Sequence, residues 1–232
     1  PALVFRRPLY TKGMSRMKNY TVQSGDTLFG IAAREYGDGD LYPVIARMNQ
    51  LANPDLIFAG QELLVPYVTY RHLWTTNDTS AARAQITQHY YGTQDTKIQL
   101  IWEVASGVAQ LPIEQGAWLL IPELGDVGHH TVVNGENFAS LAADWYGDDH
   151  LALVIAHANE MDENTQPAPG TVLIRPGLNF RLHVAGHTLE SACRWVYGDS
   201  DLIPTWMAVV EAANYISRPH KLFSNQTLFF PR

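Results

Sequence analysis

The chain repeats itself, and that self-similarity limits its fold more than any other feature. Residues 20–66, YTVQSGDTLFGIAAREYGDGDLYPVIARMNQLANPDLIFAGQELLVP, and residues 130–176, HTVVNGENFASLAADWYGDDHLALVIAHANEMDENTQPAPGTVLIRP, align at a shift of 110 without a gap, with roughly a third of positions identical. The shared positions include Val22/Val132, Gly25/Gly135, Tyr36/Tyr146, Gly37/Gly147, Asn49/Asn159, Gly60/Gly170 and Pro66/Pro176. A weaker copy joins GHTLESACRWVYGDSDL (186–202) to NQTLFFP (225–231), and the weakest runs from Asp78-Thr79 through Tyr91-Gly92 to GAWLLIP (116–122). The closing prolines Pro66, Pro122, Pro176 and Pro231 lie 56, 54 and 55 residues apart. Four small units of one design therefore account for everything after residue 19.

Each copy has the same grammar. A short β-rich run (Tyr20–Gln23, His130–Val133) precedes Asp26-Thr27, which supplies a side-chain acceptor for a helix start. Leu28, Ile31, Ala32 and Tyr36 fall on one helical face, and Phe138, Leu141, Ala142 and Tyr146 repeat the spacing. Gly37 suits the left-handed position past a helix end. Asp38 or Asp40 can then cap a second helix with a Leu41, Val44, Ile45, Met48 face, which stops near Asn49. A turn at Gly60 leads to a closing strand, Glu62–Val65, ended by proline. The expected order is strand, helix, helix, strand. Units of about 50 residues are marginal alone, so with short linkers (67–72, 123–129, 177–181) they are expected to pack on one another.

Charge is uneven. Arg6, Arg7, Lys12, Arg16 and Lys18 give residues 1–19 a charge of +5 with no acid; the other 11 basic residues face 23 acidic ones, a balance of -12 within a net -7. An acidic body argues against a nucleic-acid binder and leaves the arm as a segment for docking on an acidic neighbour. The arm lacks the apolar stretch and cleavage site of a secretory signal, so cytoplasmic synthesis without a signal peptide is expected. No apolar run of about 18 residues exists to cross a membrane. The lone Cys193 aligns with Ala32 and Ala142 on a core face.

At these residues the sequence resembles the LysM domain. Tyr20-Thr21-Val22-Gln23-Ser24-Gly25-Asp26-Thr27-Leu28 is similar to that family's opening and Gly60-Gln61-Glu62-Leu63-Leu64-Val65-Pro66 to its close. The resemblance implies an α+β fold of four tandem βααβ LysM-like units packed in series, at residues 20–67, 73–124, 130–177 and 182–232, after a basic extended arm at 1–19. It also implies binding of glycans containing N-acetylglucosamine, peptidoglycan or chitin, in a groove where Gly25, Asp26, Thr27 and Leu28 face Pro54, Asp55, Leu56 and Ile57. The other copies depart at the groove, with Gly135-Glu136-Asn137-Phe138, Gly186-His187-Thr188-Leu189 and Asn77-Asp78-Thr79-Ser80, while their core positions persist. Units with Tyr-Gly-Asp after the first helix also resemble LysM domains of phage tail and baseplate proteins.

The sequence shows no His-Glu-x-x-His, Gly-x-Ser-x-Gly or Walker pattern, so no enzyme, metal site or cofactor is expected. His150 with His157, His183 with His187, and Asp148 with Asp149 are read as surface or helix-end residues. Trp102, Trp145, Trp195 and Trp206 are read as core or inter-unit contacts. Two functions stay open. The preferred one is a non-enzymatic assembly protein of a phage tail or related contractile machine, with other protein subunits of a particle as partners. The alternative is a peptidoglycan- or chitin-binding protein.

Overall fold

The computed structural model describes residues 17–216, 222–223 and 226–231. Arg6, Arg7, Lys12 and Arg16 of the basic arm lie outside the described residues, while Lys18 already stands in the first strand.

Four two-stranded antiparallel sheets form among the described residues, each pairing the first and last strand of one module. In module 1, β1 (Lys18–Thr21) pairs with β2 (Glu62–Val65), and α1 (Leu28–Tyr36) and α2 (Tyr42–Met48) lie between them in sequence. Module 2 has β3 (Tyr70–Leu73), α3 (Ser80–Tyr91), α4 (Thr96–Ala105) and β4 (Trp118–Ile121). Module 3 has β5 (Glu123–Thr131), α5 (Phe138–Tyr146), α6 (Ala152–Ala158) and β6 (Val172–Gly177). Module 4 has β7 (Phe180–His183), α7 (Leu189–Tyr197), α8 (Ile203–Ala213) and β8 (Thr227–Phe230).

Local chemistry explains the element ends. Thr27, Thr79, Asn137 and Thr188 cap the first helix of their modules, each side chain accepting an N–H from three residues on. The expected capping role of Asp26 therefore passes to Thr27. Gly37, Gly92 and Gly147 end those helices at positive φ, where a side chain is disfavoured. Asp38 and Asp148 cap short 3-10 turns, and α2 begins afterwards at Tyr42. β1 starts at Lys18, two residues before the expected run, and β5 covers residues expected as a linker.

Two hydrogen-bonded clamps recur. The hydroxyls of Tyr36, Tyr91, Tyr146 and Tyr197 donate to the carbonyls of Pro66, Pro122, Pro176 and Pro231, at 2.6–2.9 Å. At the end of each second helix, the amides of Asn49, Asn159 and Asn214 donate to the helix (Ile45, Ile155 and Val210 O) and to the closing strand (Leu64, Ile174 and Phe229 O). Their carbonyls accept the same strand residues' N–H groups. In module 2, Ser106 bonds Leu120 N and O instead.

The modules gather into two bodies, and the pairing is not the serial stack expected. The first body holds modules 1 and 4 and the second holds modules 2 and 3. In the first, α2 packs on α8: Trp206, Val209, Ala212 and Ala213 join the core of module 1. Arg47 donates to Ala208 O at 2.7 Å and lies 3.6 Å from the carboxylate of Glu211, a residue only 1% exposed. Tyr215 donates its hydroxyl to Asp38. In the second body, Ile101 and Ala105 of α4 enter the core of module 3 against α6. Aliphatic side chains so covered, such as Val209 and Ile101, contribute about 1.5–3 kcal/mol each, and the alanines less. The buried Cys193 thiol is pushed up to about 12, first by burial and then by Glu211, so it stays protonated at neutral pH.

The tyrosine clamp gives a direct test. Tyr146 is fully buried, and Tyr146→Phe leaves the Pro176 carbonyl without its donor. Urea unfolding is expected to show a loss of about 1–3 kcal/mol; a change indistinguishable from zero would remove the clamp from the stability of the module.

Candidate functional site

The expected groove of module 1 is bounded by the β1–α1 loop and the α2–β2 loop, joined at their base by Val22 N–H to Gln61 O and Gly60 N–H to Val22 O, 2.9 and 2.8 Å. Gly25 and Gly60 hold φ of 89° and 85°, which explains their recurrence in the repeat. A Cβ at either would meet nothing within 4 Å, so backbone conformation and not crowding requires glycine there.

Asp26 is half-buried and braces the first loop. Its Oδ2 accepts the Tyr20 hydroxyl at 2.6 Å and the Gln23 N–H at 2.8 Å, and Arg34 donates to the Tyr20 oxygen at 2.7 Å. The Tyr20 bond first, then the Gln23 amide, hold the Asp26 carboxyl below its usual range, while the Tyr20 phenol is raised by the same bond. Thr27 is spent on the cap, with its Oγ1 accepting Gly30 N–H. Leu28 is buried in the core, so its side chain does not line the groove as expected.

The facing loop is built differently. Asn53 accepts the N–H of Asp55 on its side chain and of Leu56 on its carbonyl, and Gln61 accepts Phe58 N–H. Pro54 is half-buried, and half-buried Ile57 packs on the module core. Leu56 is 55% exposed and Phe58 62%. Among the described residues no hydrogen bond joins residues 24–27 to 53–59, and the Ile57 N–H and Asp55 carbonyl have no protein partner. The groove thus offers unused backbone donors and acceptors beside exposed apolar side chains, the combination that suits an N-acetyl group. Sequence reasoning missed Phe58 and Phe29. Phe29 is 54% exposed with its ring over Gly39, where an added Cβ would lie 2.4 Å from it. The available signal was that both aromatics fall outside the helical core spacing.

The same loops in the other modules differ. In module 3, His130 and Glu136 take the places of Tyr20 and Asp26, 2.7 Å apart, and Glu136 accepts Val133 N–H. In module 2, Asp78 is bound by Arg83 through two bonds of 2.7 and 2.6 Å and accepts Ile113 N–H at 3.0 Å. In module 4, Ser191 Oγ lies 3.5 Å from His187 Nδ1, but Thr188 N and O hold it in the cap of α7. Trp102, Trp145 and Trp206 are buried and so withdrawn from sugar stacking. Asp148, Asp149 and His150 bring ligand-type atoms within 4.8 Å of one another at an exposed helix end, where Asp148 serves as a cap. No helix among the described residues is long and apolar enough to cross a membrane.

Residues 20–66 match the LysM domain family, and the first module is a LysM domain. Two proteins of Mycobacterium tuberculosis, each named an esterase, are 34% identical over 159 residues, covering 68% of this chain and 33% of theirs. The chain thus spans about a third of the length of these curated relatives. The potassium binding protein Kbp of Escherichia coli is 47% identical over 49 residues, 20% of this chain and 33% of that one. The crystal structure of the Bacillus megaterium spore cortex-lytic enzyme SleL shares 24% identity over 47% of this chain and 23% of that one, at a TM-score of 0.24, too low to bear on this fold. Two expectations change. A non-enzymatic protein is overturned by relatives named esterases. A phage tail or baseplate assembly role gains no support, and the LysM match favours the glycan-binding alternative.

Asp78 carries a pH signature. Its hydrogen bonds from Arg83, chiefly, lower its carboxyl from 3.8 to about 2. A carboxyl depressed by folding contributes stability that is present above its unfolded value and is lost as pH falls from about 4 through about 2. The urea midpoint of Asp78→Asn is expected to fall less steeply than that of the wild type across this window; equal slopes would exclude Asp78 from the acid response.

Proposed function

We propose that this protein binds peptidoglycan through the groove of module 1, with Gly25, Asp26 and Thr27 shaping one wall and Pro54, Asp55, Leu56 and Ile57 the other. The observation that carries this reading is the open pair of loops, with the Ile57 N–H and Asp55 carbonyl unspent beside exposed Leu56 and Phe58. The amide and carbonyl suit the N-acetyl group of a wall glycan, and the apolar side chains suit its methyl and the sugar face. Modules 2 to 4 repeat the strand–helix–helix–strand order, and we read them as LysM-like units, expected at 73–124, 130–177 and 182–232, whose paired strands run from 70 to 121, 123 to 177 and 180 to 230. The 34% identity to two esterases over 159 residues supports a second part of the proposal: binding at the wall serves an ester-hydrolysing protein.

Sedimentation with purified peptidoglycan, competed by N-acetylglucosamine oligomers, tests the binding. The wild type is expected to pellet and to be released by competitor, while Asp26→Ala with Leu56→Ala is expected to weaken binding by about tenfold or more, the scale of two lost contacts. Pelleting that competitor does not reverse, or that the double variant retains, would sink the groove assignment. Release of nitrophenol from short-chain nitrophenyl esters tests the second part, and no turnover above the heat-killed protein would remove it.

A further inference from the structure

We infer that the groove of module 2 is closed by its own side chains, so that glycan held by module 1 has no counterpart there. This inference rests on the groove reading above. The two modules superimpose in sequence through their caps and closing strands: Thr27 matches Thr79, Asp26 matches Asp78, and Gly60 matches Gly116. Their base bonds also match, with Trp74 N–H to Ala117 O and Gly116 N–H to Trp74 O, 2.8 Å each. Ile57 therefore corresponds to Ile113, Asp55 to Leu111, and the core residue Ile31 to Arg83.

In module 1 the Ile57 N–H and Asp55 carbonyl are unspent. In module 2 both are taken. Asp78 Oδ2 accepts Ile113 N–H at 3.0 Å, and Arg83 Nη2 donates to Leu111 O at 2.6 Å. Gln115 adds a bond of 3.3 Å to Asn77 across the same two loops. Arg83 lies beneath this bridge and is itself anchored: it grips Asp78 through two bonds and donates to buried Glu103 at 2.9 Å, which also accepts from Gln99. Charge-assisted bonds of this kind are the strong ones, and a glycan would have to replace them with neutral ones. Module 3 leaves its loops unbridged, but Pro167 stands at the position of Ile57 and has no N–H to give.

The substitutions that open module 2 are dictated by module 1. Arg83→Ile with Glu103→Ala installs the residues found at Ile31 and Ala46, removing the charges together so that neither is left buried alone, and Asp78→Ala frees the Ile113 N–H that Asp78 otherwise keeps. The probe is the N-acetylglucosamine pentamer, followed by amide NMR of the full chain and by calorimetry. In the wild type the Ile57 amide is expected to shift saturably while the Ile113 amide does not. The triple variant, checked for its fold by the same spectra, is expected to add saturable shifts at Ile113 and to raise the stoichiometry by one. Saturable shifts at Ile113 in the wild type would overturn the closure while leaving the module 1 reading intact, as would a folded triple variant with unchanged stoichiometry. No saturable shift at either amide in either protein would overturn the glycan reading itself and this inference with it.

Discussion

The end of the second helix governs both the stability of each module and the shape of its candidate site. Asn49 lies where α2 stops and holds three backbone groups, one on the helix and two on the closing strand. Gln50 then takes a φ of 52°, and Leu51 N–H closes back on Ala46 O. Left-handed backbone at a non-glycine residue costs of the order of 1 kcal/mol, so it persists only where neighbours fix it. The asparagine bonds supply that fixing, at about 0.5–1.5 kcal/mol each. Both ends of the intervening loop are thereby pinned, and that loop is the groove wall carrying Leu56 and Ile57. Asn159 with Glu160 and Asn214 with Tyr215 repeat the device.

Module 2 shows what happens when the device is weakened. Ser106 reaches the closing strand through a single hydroxyl, and Gly107 takes the left-handed position without strain. The loop beyond it is held from across the groove by Asp78 and Arg83. Stability and an open site draw on the same backbone groups here: whatever bonds the loop internally also consumes the donors a ligand would use. Module 1 resolves this by pinning the loop at its ends, module 2 by bridging its middle.

Much of the architecture was legible because the repeat exposes which positions packing cannot change. Tyr36, Asn49 and Pro66 recur across copies, and the structure joins them to the closing strand. The capping acceptor was half-read: Asp26 and Thr27 are adjacent acceptors, and only the structure shows Thr27 on the helix while Asp26 meets Tyr20. That partner was hidden because Tyr20 also fits a strand pattern. The missed Phe58 and the placing of Leu28 in the groove as well as on the helical face share a cause, since a loop motif lists residues in order without saying which side chains turn inward. The motifs sought gave no sign of the activity by which the esterase relatives are named, and the match covers a third of their length.

The pairing of module 1 with module 4 was not legible from chain order, and one position narrows it by excluding an interface between modules 2 and 4. Where α2 and α6 carry Ala46 and Ala156, α4 and α8 carry Glu103 and Glu211, all four buried. Each body joins one alanine-bearing helix to one glutamate-bearing helix. Two glutamate-bearing helices packed together would bring two buried carboxylates to one interface, where desolvation and mutual repulsion oppose ionisation of both. The two bodies then compensate the single carboxylate differently. Arg47, next to Ala46, reaches Glu211 from the partner helix. His157 holds the place of Arg47 in module 3 and is kept mainly neutral by burial, so Glu103 takes its cation from Arg83 of its own module. Arg83 is the residue that bridges the module 2 groove. The exclusion of that one interface and the closing of the module 2 groove thus trace to one buried glutamate and the source of its counter-charge.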